Sequence, residues 1–154
     1  MLISQHLKRE AINLNLKGES VLEALDELAR LIAEPNADLD ASSIREQLVQ
    51  REKLLSTASG CGLAFPHCYQ QIKKPRFALG VCRSGIDAEA PDDKPVHIFL
   101  VVVSPENDPN VHLEALSAAS RVFLKEEVRD CIHTAESPEE AMQIIIDAET
   151  KTNG

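Results

Sequence analysis

With 154 residues, 44% apolar and 27% charged, the chain has the composition of a globular protein long enough to bury a core without disulfide or metal staples. Sixteen lysines and arginines against 25 acidic residues leave a net charge of −9 with no basic stripe, which excludes nucleic acid and anionic membrane surfaces as partners. The start MLISQHLKRE lacks the apolar core of a signal peptide, the longest apolar run (Ile98 to Val103) is only strand length, and the four cysteines form no C-x-x-C pair; a cytoplasmic protein with reduced thiols and no membrane insertion is expected.

In chain order, Ile12 to Leu16 (INLNL) alternate apolar and polar residues and predict a half-buried strand. Ser20 with Glu23 forms a capping box, and Leu22, Leu25, Leu28, Ala29 and Ile32 keep a helical period until Pro35 closes the helix. A second capping box, Ser43 with Glu46, opens a helix that runs to about Leu54. Phe77 to Cys82 and Val96 to Ser104 read as strands. The latter has little polar alternation, so both its faces are expected to be covered. Asp108 and Pro109 supply an N-cap and first helical residue for a long helix reaching about Leu124, with its continuation to Ile132 left open. Ser137, Pro138 and Glu140 start the last helix, which carries Met142, Ile145 and Ile146. Strands mixed with helices, one strand covered on both sides, predict an α/β sandwich forming a single domain over residues 1–154; the strand order is not readable.

The segment GCGLAFPHCYQQ, Gly60 to Gln71, stands apart from its charged, helical surroundings. Pro66 pushes Phe65 to extended geometry, so His67 is expected at a strand end or on a loop. Gly60 and Gly62 let backbone or a partner approach closely. An imidazole there has four uses open to it: nucleophile, metal ligand, general base or structural group. Ile44, Leu48, Arg51 and Leu55 share one helical stripe, so Arg51 is expected to aim inward, where an arginine wants an anion; alternatively it snorkels from the stripe's end. His112, with Leu116, Ala119 and Phe123, occupies the first turn of its helix, where the dipole favours an anion and a neutral ring; alternatively it caps or packs. Ser56 and Thr57 either cap a turn or orient the loop and His67. Together a nucleophilic imidazole, an arginine fork and a second imidazole at a helix N-terminus make a site for a phosphoryl group, whose transfer needs positioning and charge neutralisation. A metal set of Cys61, His67, Cys68 and His112 fits no standard zinc spacing, and adjacent His67 and Cys68 point apart on extended backbone. His97 reads as a hydrogen-bonded structural residue, and His6 and His133 carry no assignment.

These residues resemble a known signature. REKLLSTASGCGLAFPH is similar to that of the fructose/mannitol-type IIA domains of the bacterial phosphotransferase system, through Arg51, Glu52, Ser56, Thr57, Gly60, Gly62, Ala64, Pro66 and His67. KPVHIFLVVVSPENDPNVHLEAL resembles the family's second block, a strand, a Ser-Pro turn and His-Leu on a helix, and the likeness covers nearly the whole chain. The resemblance implies a mixed β-sheet of about five strands flanked by helices on both faces. It implies that His67 accepts a phosphoryl group at Nε2, with His112 and Arg51 lining the phosphate site, Ser56, Thr57 and Gly62 in support, and no metal or organic cofactor. The implied donor is the small phosphocarrier HPr or its nitrogen-branch paralogue. The implied next partner is a IIB domain or a regulatory target such as a transporter or sensor kinase. A free-standing chain of this length is expected in the nitrogen-regulatory branch, as a carrier that signals through its phosphorylation state. The alternatives are a sugar-specific IIA component serving a IIB domain in fructose/mannitol-type uptake, and a IIA-like binding module that is never phosphorylated. Cys61, Phe65 and Cys68 depart from the usual pattern and bear on partner preference more than on chemistry.

Overall fold

The two least polar stretches become the centre of the sheet. In a computed structural model describing residues 1–153, β5 (Arg76–Ile86) and β6 (Val96–Pro105) pair antiparallel from Arg76↔Val103 to Ile86↔Val96. Every residue of β6 except His97 is buried, as expected for a strand covered on both faces. β1 (Leu7–Asn13) runs parallel to β5 on its outer side. On the other side β6 is lined in parallel by two short strands in succession, β3 (Leu63–Ala64) against Ile98 and Phe99, then β4 (His67–Gln70) against Val102 to Pro105. β2 (Ala58–Gly60) folds antiparallel onto β3. The sheet is the expected mixed one, with six strands, because Phe65 and Pro66 interrupt the run beside β6 between β3 and β4. Pro66 has no N–H for the ladder, but its carbonyl still accepts from Val102 N.

Helices α1 (Val21–Ala33) and α2 (Ala41–Leu54) pack together over β5 and β4, while α3 (Pro109–Phe123), α4 (Glu126–Thr134) and α5 (Pro138–Asn153) form the other layer. One continuous core joins them, with Phe77, Phe99 and Phe123 its largest fully buried side chains. Ser20 caps α1 by accepting from Glu23 N, and Asp108 caps α3 by accepting from Val111 N with Pro109 at the first turn. Ser137 likewise accepts from Glu140 N at the start of α5.

Two boundaries differ from the sequence reading, and the open end of the third helix is fixed. The first strand lies earlier, at Leu7–Asn13; Leu14 and Leu16 are buried as their alternation implied, but the chain has already left the ladder. Its charged Lys8, Arg9 and Glu10 are exposed on an edge strand, where charge blocks further pairing. Asp40 rather than Ser43 caps α2, accepting from Ser42 N. A carboxylate at that position also meets the helix dipole, and Ser43 Oγ instead accepts from Gln47 and Gln70. α3 stops at Phe123 and α4 is separate, since Arg129 donates to the carbonyls of Phe123 and Leu124 and closes the α3 C-terminus. Leu22 and Ile146, apolar residues of α1 and α5, are exposed at the margins of their apolar stripes.

Gly80 on β5 shows how tightly the α1 layer sits. A Cβ there would meet Leu16 Cδ1 and Leu28 Cδ2, each at 2.7 Å, and both leucines are buried. Gly80→Ala is expected to lower stability by about 1–3 kcal/mol through overpacking, read as a lower midpoint in urea unfolding.

Candidate active site

His67 begins β4 immediately after the proline break, and a chain of hydrogen bonds fixes it from behind. The Glu52 carboxylate at the end of α2 accepts from Thr57 N at 3.1 Å and from Thr57 Oγ1 at 2.6 Å. Thr57 O accepts from Phe65 N at 3.1 Å, and Phe65 O lies 2.9 Å from His67 Nδ1. A carbonyl only accepts, so Nδ1 carries the ring proton and, in the neutral imidazole, Nε2 holds the lone pair. Ser56 adds a second clasp by donating to Ala88 O at 2.6 Å and accepting from Ala58 N at 3.1 Å.

The second imidazole stands against the first. His112, on the first turn of α3, has its ring centroid 5.2 Å from that of His67 and 4.7 Å from the Tyr69 ring. Its Nδ1 is 2.7 Å from Ser104 Oγ on β6. The parallel register puts His67 beside Val102 and Tyr69 beside Ser104; residues two apart share a face, so His67, Tyr69 and Ser104 turn the same way and meet His112. Burial, and then the His67 charge, lowers the His112 pKa below 6.5. At neutral pH it is an uncharged hydrogen-bonding group, as its helix position implied.

Arg51 reaches the site from α2. A cavity of about 510 Å³ is lined by Glu46, Gln47, Gln50, Arg51 and Leu54 of α2 together with His67, Cys68 and Tyr69. Within it the Arg51 guanidinium donates through Nη1 to Leu55 O at 2.7 Å, which caps the helix end and leaves further N–H groups of the fork for a ligand. The apolar stripe that was to aim Arg51 inward ends earlier, however: Ile44 and Leu48 are buried, Arg51 is half-buried, and Leu55 lies outside the helix, 71% exposed.

His67 thus has the His112 ring against its own and Arg51 along the cavity that both line, while the supporting residues divide. Thr57 and Ser56 point their hydroxyls into the loop clasps and act on His67 through the backbone. Gly62 does not reach this cavity. It forms the β2–β3 turn with φ 77°, accepts from His97 N and Ile98 N, and lines a different cavity with Cys61, His97 and His133.

The family model described as "Phosphoenolpyruvate-dependent sugar phosphotransferase system, EIIA 2" matches residues 5–148. The chain belongs to this family. EIIA proteins are phosphotransferase components that carry a phosphoryl group on histidine. The nitrogen regulatory protein of Pseudomonas aeruginosa is 35% identical over 136 residues, 88% of each chain. The fructose-specific EIIABC component of Bacillus subtilis is 31% identical over 146 residues, which are 94% of this chain but 23% of that protein. The crystal structure of nitrogen regulatory protein IIA-Ntr from Neisseria meningitidis superposes with a TM-score of 0.83 at 32% identity, covering 93% of this chain and 98% of that one. IIA mannitol from Escherichia coli shares the fold with a TM-score of 0.76 at 18% identity.

Two residues in contact with His112 escaped the sequence reading. Ser104 ends a run of apolar strand residues, and Tyr69 lies two residues past His67; the signal for both was strand alternation, which puts Tyr69 on the face of His67. The same alternation turns Cys68 away into the core, where it is 3% exposed and burial pushes its thiol up to about 12. Iodoacetamide applied to the native protein is expected to label the exposed Cys61 and Cys131 and to spare Cys68 and Cys82, as peptide mass mapping would show.

Proposed function

We propose that this EIIA protein is a phosphocarrier of the nitrogen-regulatory type, taking a phosphoryl group on Nε2 of His67 from HPr or its nitrogen-branch paralogue. The single observation that carries the reading is the hydrogen bond from His67 Nδ1 to Phe65 O, which aims an Nε2 lone pair away from the backbone. In the step, that lone pair attacks phosphorus and the donor's N–P bond breaks in line. The donor ring, protonated on its other nitrogen, leaves as a neutral imidazole. His67 keeps its Nδ1 proton, and the Phe65 carbonyl stabilises the cationic phosphorylated ring. Arg51 and His112 offer N–H groups to the equatorial oxygens, where charge is spread in the transition state.

A protein donor also needs a docking face. Leu54 and Leu55, 82% and 71% exposed, follow Arg51, and Leu113, 64% exposed, follows His112. Exposed apolar side chains next in sequence to these residues suit a protein contact. The reading places the protein in the cytoplasm as one domain over residues 1–154; among the described residues no helix is long and apolar enough to cross a membrane. Its onward partner is a regulatory target such as a transporter or sensor kinase.

The similarity to a fructose-specific component over 94% of this chain favours a second reading, a sugar carrier that serves a IIB domain. The complex of IIA mannitol with phosphorylated IIB mannitol is an example of such a pair. Offering the phosphorylated protein to purified IIB domains separates the two. It is expected to stay charged; rapid discharge to one of them points to the sugar carrier, and a protein that never takes up phosphorus is a binding module only.

A further inference from the structure

Ser104 is fully buried at the end of β6, and among the described residues its hydroxyl has His112 Nδ1, at 2.7 Å, as its hydrogen-bond partner. A hydroxyl can give or take a proton, but burial decides between the two. Were His112 to donate from Nδ1, the Ser104 proton would be left buried without an acceptor. An orphaned buried donor is costly, whereas an oxygen with a spare lone pair is tolerated. The Ser104 O–H therefore donates and Nδ1 accepts. Burial also keeps the His112 ring neutral, and a neutral imidazole has a single N–H, which must then sit on Nε2.

We propose that Ser104 is a positioning residue for phosphoryl transfer, its hydroxyl locking His112 in the Nε2–H tautomer so that a donor rather than a lone pair meets the phosphoryl oxygens. The inference rests on His67 being the phosphoryl acceptor. The two imidazoles, 5.2 Å apart, are then given opposite tautomers by what their Nδ1 atoms meet. A carbonyl puts the proton of His67 on Nδ1 and frees Nε2 as nucleophile; a hydroxyl puts the proton of His112 on Nε2 and makes it a donor. In the other tautomer His112 would turn a lone pair towards anionic oxygens and repel them.

Long-range proton–nitrogen NMR of histidine-labelled, unphosphorylated protein at neutral pH tests this directly. Wild type is expected to show His112 with an unprotonated Nδ1 and a protonated Nε2. Ser104→Ala is expected to populate the Nδ1–H tautomer and slow phosphoryl uptake by about tenfold, short of the ~10²–10³-fold cost of losing such a donor outright. Ser104→Thr, which keeps the hydroxyl, is expected to restore both. A wild-type His112 protonated on Nδ1 overturns the proposal, as does a Ser104→Ala protein with unchanged tautomer and rate. If neither variant folds, the wild-type spectrum alone decides. Because the spectrum is read before any phosphorus is added, it separates a wrong tautomer from a wrong acceptor residue.

Discussion

A His67→Ala variant, incubated with phosphoenolpyruvate, the general first enzyme of the phosphotransferase system and HPr, is expected to gain no phosphoryl group, while wild type gains one by intact mass. The loss is expected to be complete because no neighbour can replace the nucleophile. Thr57 and Ser56 are hydrogen-bonded into the loop, Cys68 is buried with its thiol pushed up to about 12, and the proton that His112 offers is what unsuits it for attack. The wild-type adduct is expected to be lost in acid and to survive base, as a phosphoramidate does. An adduct that survives acid would place the phosphoryl group on a hydroxyl instead. His67→Ala trims a half-buried side chain at an edge strand, so the variant should remain folded, which a thermal melt checks.

His112→Ala and Arg51→Ala are expected to give the same final adduct far more slowly, by roughly 10²–10³-fold each, the usual cost of removing one donor aimed at developing charge. The chemistry survives because His67 Nε2 keeps its lone pair; what is lost is neutralisation of the equatorial oxygens. Arg51→Lys is expected to recover little, since an ammonium cannot both cap Leu55 O and present a fork. His112 also ties stability to pH. Its pKa is lowered below 6.5 in the fold, so the unfolded chain binds the proton more readily. The contribution of the neutral ring is whole above pH 6.5 and is lost as pH falls below it. In urea unfolding, the margin of wild type over His112→Ala should therefore shrink on acidification below 6.5.

The parts of the fold that were legible in sequence are those written in local chemistry. Ser20 with Glu23 and Asp108 with Pro109 announced two helix starts, and the apolar run of β6 announced a strand covered on both faces. What failed was competition between local signals. Asp40 and Ser43 are both good caps three residues apart, and only the folded chain shows that Ser43 is taken by Gln47 and Gln70. The break between α3 and α4 depends on an arginine reaching back to two carbonyls, which no periodicity records. His67, Arg51 and His112 were singled out because each was odd for its place: an imidazole after a proline, a cation where the helical period expected an apolar residue, a ring in a first turn. Ser104 was missed because a serine after apolar residues looks like a strand end. Its role exists only across the β6–α3 gap, eight residues away in sequence. Gly62 was assigned to the phosphate site by likeness and proves to shape a turn lining another cavity.

In the proposed mechanism the Phe65 carbonyl, by holding the Nδ1 proton of His67, makes Nε2 the atom that takes phosphorus. Phosphorus–nitrogen coupling in the NMR spectrum of the phosphorylated, histidine-labelled protein reads that bond directly. Coupling is expected to Nε2 of His67; coupling to Nδ1 of His67, or to either nitrogen of another histidine, would overturn the mechanism.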